Sequence, residues 1–510
     1  MALLEKLDPS SEGRRRFIIK NPATAEPIGE FEVATAEDVK EAVARARVAQ
    51  KSWGATSVEK RAEVLQAALR ILLDNKEKYI DRIISETGRS RLETIFMELF
   101  PACDSINYFS RRAPKMLKPH SVGMHLLRMK SAKVVYQPLG VVGVIAPWNG
   151  PFIMSLNPTV QALLAGNAVV IKPSEITPYS GKLVEEMFQE AGLPKDVVQV
   201  VLGDGETGAA LVESGVDKIS FTGSVATGRK VGESCGRNLI PCTLELGGKD
   251  AMIVCSDADL ERTVNGAMFG GFMNVGQFCC GTERIYVVDS VADAFIEKVV
   301  EQTKQLRQAT EGEFDVACFI SGSQIDLVEA HVKDAVEKGA TILTGGKRAS
   351  AVGGNFYEPT ILTDVTPDML VMHEETFGPV LPIVRCKDEA EAVRLANESK
   401  YGLSGSVWTK NKQKGYELAQ QVETGSVCVN DTGLTYGALE LPFGGRKNSG
   451  VGHVNGGANG LRNYCHAQPI IIDRFGLKRE HVWYPYSKDA MEGLEKALKY
   501  IWGTTVRRFM

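Results

Sequence analysis

The sequence predicts an α/β chain built on parallel sheets with helices on both faces, divided into more than one domain. Three observations predict this. Strand-like and helix-like segments alternate from about residue 134 onward, the pattern of parallel strands joined by helical crossovers. From Val134 to Ile171 no residue is charged, yet Pro138, Pro147, Pro151 and Pro158 interrupt the run. A membrane span needs about 20 apolar residues in an unbroken helix, so this run reads as buried strands and a buried helix at the centre of a sheet. The third observation is length: 510 residues, at roughly 150 per domain, give two or three domains.

Composition removes several classes. A chain 44% hydrophobic and 24% charged is neither wholly disordered nor a coiled-coil rod. Lys+Arg 59 against Asp+Glu 63 is too balanced for a nucleic-acid binder. Ten cysteines are too sparse for a disulfide scaffold. Arg14, Arg15 and Arg16 are not followed by an apolar stretch, so no signal peptide is expected and the location is read as cytoplasmic. No metal site is expected.

In order along the chain, the first third reads as helices around a few short strands. Thr35-Ala36-Glu37-Asp38 has the capping-box form, and Val39, Val43, Ala46 and Trp53 then share a helical face. Helical patterns fill 58–113, with a break near Gly88. Residues 124–137 alternate and carry Arg128, Lys130 and Lys133, as an extended hairpin leaving the domain body would. A strand then runs into Ala146-Pro147-Trp148-Asn149, a helix ends at Gly166-Asn167, and a strand ends at Lys172-Pro173. A helix over 178–192, a strand near 197–203, a helix over 206–214 and the strand leading to Gly223-Ser224 complete a dinucleotide-binding pattern. A second α/β set fills about 250–445, with helices at 323–338 and 388–399. Alternating residues 466–474 and a tail follow.

Four segments carry chemistry. In Asn274-Val275-Gly276-Gln277-Phe278-Cys279-Cys280, a cysteine among glycines can act as a covalent nucleophile. Taken singly, most cysteines are buried and inert. In Leu244-Glu245-Leu246-Gly247-Gly248-Lys249, a carboxylate among apolar residues suits a general base of raised pKa; a strand-end surface glutamate is the plainer alternative. Phe221-Thr222-Gly223-Ser224 opens a helix whose N-terminus can hold an anion, although it lacks the G-x-G-x-x-G fingerprint. Lys172 and Glu175 end a neighbouring strand, where ribose hydroxyls bind. Glu175 repels a 2′-phosphate there, which favours NAD over NADP.

Together these segments resemble the aldehyde dehydrogenase superfamily over almost the whole chain. The resemblance rests on APWN at 146–149, KPSE at 172–175, FTGS at 221–224, LELGGK at 244–249, NVGQFC at 274–279, EETFGPV at 374–380 and LPFGGRKNSG at 441–450, in that order. It implies a Rossmann-like cofactor domain from 1–123 and 138–246, a catalytic domain over 247–445, a small β oligomerisation arm from 124–137 and 446–480, and a tail over 481–510. It implies Cys279 as nucleophile, Glu245 as general base and Asn149 as the oxyanion amide. Trp148, Lys172, Glu175, Gly223, Ser224, Gly228, Leu246, Glu375 and Phe377 are its implied cofactor contacts. Gly150, Met154, Asn157, Phe278, Cys280, Tyr436 and Phe443 are its implied substrate tunnel; none is charged, which favours neutral apolar or aromatic aldehydes.

Two departures stand out. Ser449-Gly450-Val451-Gly452-His453-Val454-Asn455-Gly456 lacks the carboxylate that many members use as a proton relay. Gly150 replaces an aromatic residue that several members carry after the oxyanion asparagine. A coenzyme-A-acylating member is the second enzyme reading, disfavoured because such members usually lack Glu245. A non-catalytic binding or structural relative is the third, disfavoured because Cys279 and Asn149 are both present. A homodimer or homotetramer is expected. In the tail, Met491, Leu494, Leu498, Ile501 and Trp502 form a helical stripe followed by Arg507-Arg508. Docking of that stripe on the protein's own body or a neighbouring subunit is favoured over an interfacial helix on anionic lipid.

Overall fold

The computed structural model describes residues 4–7, 14–349, 352, 355–480 and 482–505. Thr35 does close a capping box, with Asp38 answering to its backbone N–H, and starts the Ala36–Ala55 helix. Val39, Val43, Ala46 and Trp53 are buried on one face, and Trp53 donates its indole N–H to the Leu163 carbonyl at 3.0 Å. The helical stretch beyond is Val58–Asp74, Lys76–Thr87 and Phe100–Met116. It breaks at Gly88, which takes φ 63°, a left-handed conformation that glycine adopts without cost. The sequence showed no sign of the wide turn, with i to i+5 bonding, at Ile95–Leu99.

Two sheets carry the molecule. The first has six strands in the order Gly450–Val451, Cys242–Glu245, Lys218–Thr222, Val141–Ile145, Ala168–Lys172, Val198–Val200. All pair in parallel except the first. The Pro151–Leu164 helix against it is buried at every position, which explains the long uncharged run: a helix enclosed on all sides is apolar all round. The second sheet has seven strands, from Thr341–Thr344 at one edge through Thr282–Val288 and Asp250–Val254 to Cys428–Val429 at the other. Each sheet has its own apolar core.

The expected arm differs in extent. Its three strands are His120–Val122, Lys130–Pro138 and Cys465–Asp473, so the hairpin starts before residue 124. Residues 446–464 do not belong to it. Gly450–Val451 pairs with Cys242–Glu245, and the Ala458–Arg462 helix packs on the helices of the first domain. Gly450 explains the pairing, since a Cβ there would lie 2.4 Å from the Leu244 carbonyl oxygen.

The tail is also partly different from expectation. The Lys488–Gly503 helix forms, with Ser487 as its cap, but none of its residues is buried. Met491, Leu494, Leu498 and Trp502 remain more than half exposed. The stripe therefore does not dock on the chain's own body. Arg507 and Arg508 lie outside the described residues. No helix among the described residues is long and apolar enough to cross a membrane.

Candidate active site

Strand order decides where the site lies. From the Val141–Ile145 strand the chain proceeds outward to Ala168–Lys172 and Val198–Val200, then returns to the other side of Val141–Ile145 with Lys218–Thr222. At such a reversal the loops leave the carboxyl ends in opposite directions and open a crevice for ligands. The loops at this one are Ala146-Pro147-Trp148-Asn149 and Gly223-Ser224. Ser224 caps the Val225–Arg237 helix by accepting from the Thr227 N–H, and helix N–H groups and dipole favour a phosphate at such an end. Gly223 approaches Phe221 so closely that a Cβ would lie 2.7 Å from the ring. Gly228 has a packing role: a Cβ there would strike Leu246 Cδ2 at 2.4 Å, so the helix and Leu246 press against each other. Lys172 and Glu175 pair at 3.3 Å.

Asn149 is fixed from behind. Its carbonyl oxygen accepts from Arg89 Nη2 at 2.6 Å and from Asn274 Nδ2 at 3.2 Å. Arg89 is buried, and it also donates to Glu98 at 2.9 Å and to Asn274 Oδ1 at 2.9 Å. The Asn149 side-chain amide donates to the Gln277 carbonyl at 3.2 Å, which brings it to the turn bearing Cys279.

That turn is strained and tightly held. Asn274, Val275 and Gly276 take φ 51°, 61° and 70° in succession. A left-handed valine is rare and persists only where the surroundings over-determine it. Here they do. The Asn274 N–H donates to Glu93 at 2.8 Å, its side chain donates to the Gln277 carbonyl at 2.8 Å, and Gln277 accepts from the Ile320 N–H at 3.0 Å. Gly276 lies where a Cβ would meet the Gly378 carbonyl oxygen at 2.2 Å, so backbone packs directly on backbone.

Cys279 emerges from this turn partly exposed, whereas Cys280 is buried. The Cys280 thiol, and then the backbone N–H groups of Cys280 and Cys279, hold the Cys279 thiol below its ordinary range against the effect of burial. Glu245, at the carboxyl end of its strand, is 5% exposed and neither carboxyl oxygen has a hydrogen-bond partner. Burial, and next the Cys279 sulfur, raise its pKa well above the ordinary value. Cys279 and Glu245 open on one cavity, which Met154, Tyr436 and Phe443 also line. Its remaining wall is Pro158, Ser220, Thr222, Leu246, Leu403 and Val454. No lysine, arginine or histidine is among these residues.

Four of the residues implied to line the tunnel, Gly150, Asn157, Phe278 and Cys280, are not part of this cavity's wall. Asn157 is wholly buried, donating to the Tyr436 hydroxyl at 3.2 Å and to Asn455 Oδ1 at 3.0 Å; it orients Tyr436 rather than lining the wall. Cys280 is 3% exposed and packs among Leu403, Phe443 and Val454. Phe278 is partly buried against the same cluster. Gly150 starts the buried helix beside Met154, where a Cβ would lie 3.1 Å from Met154 Cγ.

Trp148 and Phe377 meet edge to face at 5.5 Å. Glu375 accepts from the Gly248 N–H at 2.9 Å. A Cβ on Gly247 would collide with the Glu375 carboxylate, so the Gly-Gly pair makes room for it. Burial, and next the charge of Glu283, push Glu375 up to about 8. The residue that sequence reasoning missed is Glu283. It receives Lys249 Nζ at 2.6 Å and the N–H groups of Thr376 and Phe377 at 2.8 and 2.9 Å. Arg89 and Glu98 were missed likewise: Arg89 stands in the break after Gly88 and Glu98 in helical sequence, and neither belongs to a motif.

A parallel-sheet crevice with a helix N-terminus at its mouth lies beside a partly exposed thiol and a buried carboxyl group, an arrangement that fits an oxidoreductase acting with a dinucleotide. The chain belongs to the aldehyde dehydrogenase family, whose model matches residues 9–470. The chain is 38% identical over 485 residues to 4,4'-diapolycopene aldehyde oxidase of a Methylomonas species, covering 95% of this chain and 91% of that one. It is 40% identical over 478 residues to a Mycolicibacterium smegmatis protein named "Putative succinate-semialdehyde dehydrogenase", NADP(+), covering 93% and 91%. Among solved structures, the Mycobacterium tuberculosis aldehyde dehydrogenase complexed with NAD+ matches with TM-score 0.85 and 36% identity, over 90% of this chain and 95% of that one. The protein is an NAD(P)-dependent aldehyde-oxidising enzyme of mixed α/β fold.

Proposed function

We propose that the protein oxidises neutral, apolar or aromatic aldehydes to carboxylic acids with NAD, through a thioester on Cys279. The observation that carries this reading is the pairing of a partly exposed, acidified thiol with an unpartnered buried carboxyl group on one uncharged cavity. Cys279 attacks the carbonyl carbon as a thiolate. The Asn149 amide leaves Gln277 to meet the oxyanion, together with the Cys279 N–H, each donor contributing about 3–4 kcal/mol. Lys172, Glu175, Ser224 and Glu375 hold the dinucleotide, with Trp148 and Phe377 beside its ring. When bound, the dinucleotide supplies the hydride acceptor. Glu245 must first lose the proton that burial keeps on it. It then takes a proton from water, which releases the acid.

NAD is the proposed cofactor because the Glu175 carboxylate stands where a 2′-phosphate would be repelled. NADP is the second reading: the Lys172 ammonium already pairs with Glu175, and a relative of 40% identity carries NADP(+) in its name. Comparing kcat/KM for the two cofactors decides it, and a preference for NADP would mean that Glu175 does not repel the 2′-phosphate. For the substrate, succinate semialdehyde carries a carboxylate, and the cavity wall offers it no cation. A panel of short, long, aromatic and carboxylated aldehydes tests this. Fastest turnover of the carboxylated member overturns the apolar reading.

Self-association is proposed through the arm. Cys465–Asp473 is an edge strand of its sheet, and its Ile470, Ile471 and Ile472 are exposed; an apolar unpaired edge is stabilised by a second copy. Light scattering that reports a 55.5 kDa particle at micromolar concentration counts against it.

A further inference from the structure

A second pair of cysteines lies in the first domain, on the face of the sheet where the Val225–Arg237 helix turns back. Cys235 is in the last turn of that helix and Cys242 is the first residue of the strand that ends at Glu245. The reversal between them is short. The Ile240 N–H donates to the Cys235 carbonyl at 2.9 Å, and Leu239 takes φ 55°. The turn brings the two sulfurs together, with the Cys235 thiol donating to Cys242. Cys235 is 1% exposed, whereas Cys242 is partly exposed.

A buried cation faces the pair. Lys218 begins the adjacent strand and is 4% exposed. Its ammonium donates to Thr243 Oγ1 at 3.0 Å and lies 5.5 Å over the Tyr464 ring. Among the described residues it has no carboxylate partner, and the titratable groups beside it are Cys242, Cys235 and Tyr464. A buried lysine is ordinarily matched by a carboxylate, because an isolated charge is expensive to desolvate. Burial lowers Lys218 to about 8. The Cys235 hydrogen bond, against burial and aided by Lys218, brings Cys242 down to about 7. Of the other partly exposed cysteines, Cys103, Cys428 and Cys465 are shifted the opposite way, chiefly by burial, and only Cys279 is lowered as Cys242 is.

We propose that Cys235 and Cys242 are a peroxide-responsive dithiol that closes to an intramolecular disulfide, with Lys218 holding Cys242 as the attacking thiolate. In the first step the Cys242 sulfur attacks one oxygen of hydrogen peroxide. An S–O bond forms, the O–O bond breaks, and hydroxide leaves and is protonated to water, which leaves Cys242 as a sulfenic acid. In the second step Cys235 loses its proton and attacks that sulfur. The S–S bond forms, the S–O bond breaks, and a second water departs. The two thiols together give up two electrons, and the peroxide is reduced to two waters. The bond ties the end of the helix capped by Ser224 to the start of the strand that ends at Glu245. This inference does not depend on the roles proposed for Cys279 and Glu245.

Peptide mapping of the full-length reduced protein after brief hydrogen peroxide treatment tests it, because activity also falls when Cys279 oxidises. Trypsin cuts after Lys230, Arg237 and Lys249, which places the two cysteines in separate peptides, 231–237 and 238–249. The expected result is a single mass joining them that dithiothreitol separates, forming about tenfold faster than any oxidation of Cys103 or Cys428. In Cys235→Ala, dimedone should trap Cys242 as the sulfenic acid. In Lys218→Met, the Cys242 reaction should slow about tenfold while Cys428 keeps its rate, the latter serving as the control for an intact fold. Cys242 that stays a thiol, that oxidises without joining Cys235, or that reacts no faster than Cys428 overturns the proposal.

Discussion

Glu283 and Glu245 make an instructive pair, one in each sheet. Both are 5% exposed, but Glu245 faces the Cys279 sulfur, whereas Glu283 holds the loop that bears Phe377. Around Glu283 every carboxylate lone pair in use has a donor: an ammonium and two backbone N–H groups. Around Glu245 only the Val454 N–H approaches, without reaching good hydrogen-bond geometry. A buried carboxylate that is fully matched fixes geometry, here the loop that carries Glu375 and Phe377. A buried carboxyl group left unmatched is a cost to the fold, and its position on the cavity is what explains its presence. The same contrast separates Cys280, packed and shielded, from Cys279, which faces the cavity.

The largest effect should come from the reactive side of this contrast. Cys279→Ala should lower turnover by at least about 10⁴-fold, with dinucleotide binding retained by fluorescence titration, while Cys280→Ala keeps most activity. An exchange of these two outcomes moves the nucleophile to Cys280. Next, Glu245→Gln should cut the steady-state rate by about 10³-fold yet keep a single burst of reduced nicotinamide. Its thermal stability should hold or rise, since an amide is cheaper to bury than an unmatched acid. A normal steady-state rate would show that another group activates water.

Glu283→Gln should behave in the opposite manner. It leaves the Lys249 ammonium buried without its counter-charge, which costs about 3 kcal/mol. Urea unfolding should show the loss. An unchanged midpoint with lost activity would mean that Glu283 is a reagent too, and the contrast would dissolve. The smallest effect concerns Glu375, pushed up to about 8. The unfolded chain ionises near the ordinary carboxylate value, whereas the folded chain keeps the proton until about 8. Stability from this group is therefore full at acid pH and is lost as pH rises through 8. Glu375→Gln should flatten that decline by about 1–2 kcal/mol, a figure kept low because Glu375 is only half-buried. Calorimetry between pH 5 and 9 reads it, and parallel curves for the two proteins would refute the assignment.

Much of this was legible in the sequence, and the reasons are local. The alternation of strand and helix exposed the first sheet, and glycine-rich turns marked Gly223-Ser224, Gly247-Gly248 and the Cys279 segment. What escaped are contacts between segments far apart in the chain. Glu283 stands three residues beyond the Asn274–Cys280 segment, and its partner Lys249 immediately precedes a neighbouring strand of the sheet, which no spacing rule reveals. Arg89 lies 60 residues from Asn149, in the short break between two helices, where no period points to a partner. Asn157 was misplaced because position in a helix does not tell which neutral polar residue faces a cavity and which answers another amide. The arm was drawn too long because Gly450-Val451 alternates as readily as the arm strand does, and only the close approach to Leu244 assigns it to the first sheet.

The contact of Gly276 with Gly378 links two loops without any side chain between them. A side chain can rotate and let its neighbours part, but two backbones in direct contact have no such slack. Residues 274–279 and 376–378 should therefore open as one cooperative unit. In amide hydrogen exchange, their protection should fall together under mild denaturant, and a tenfold change at one should appear as the same change at the other.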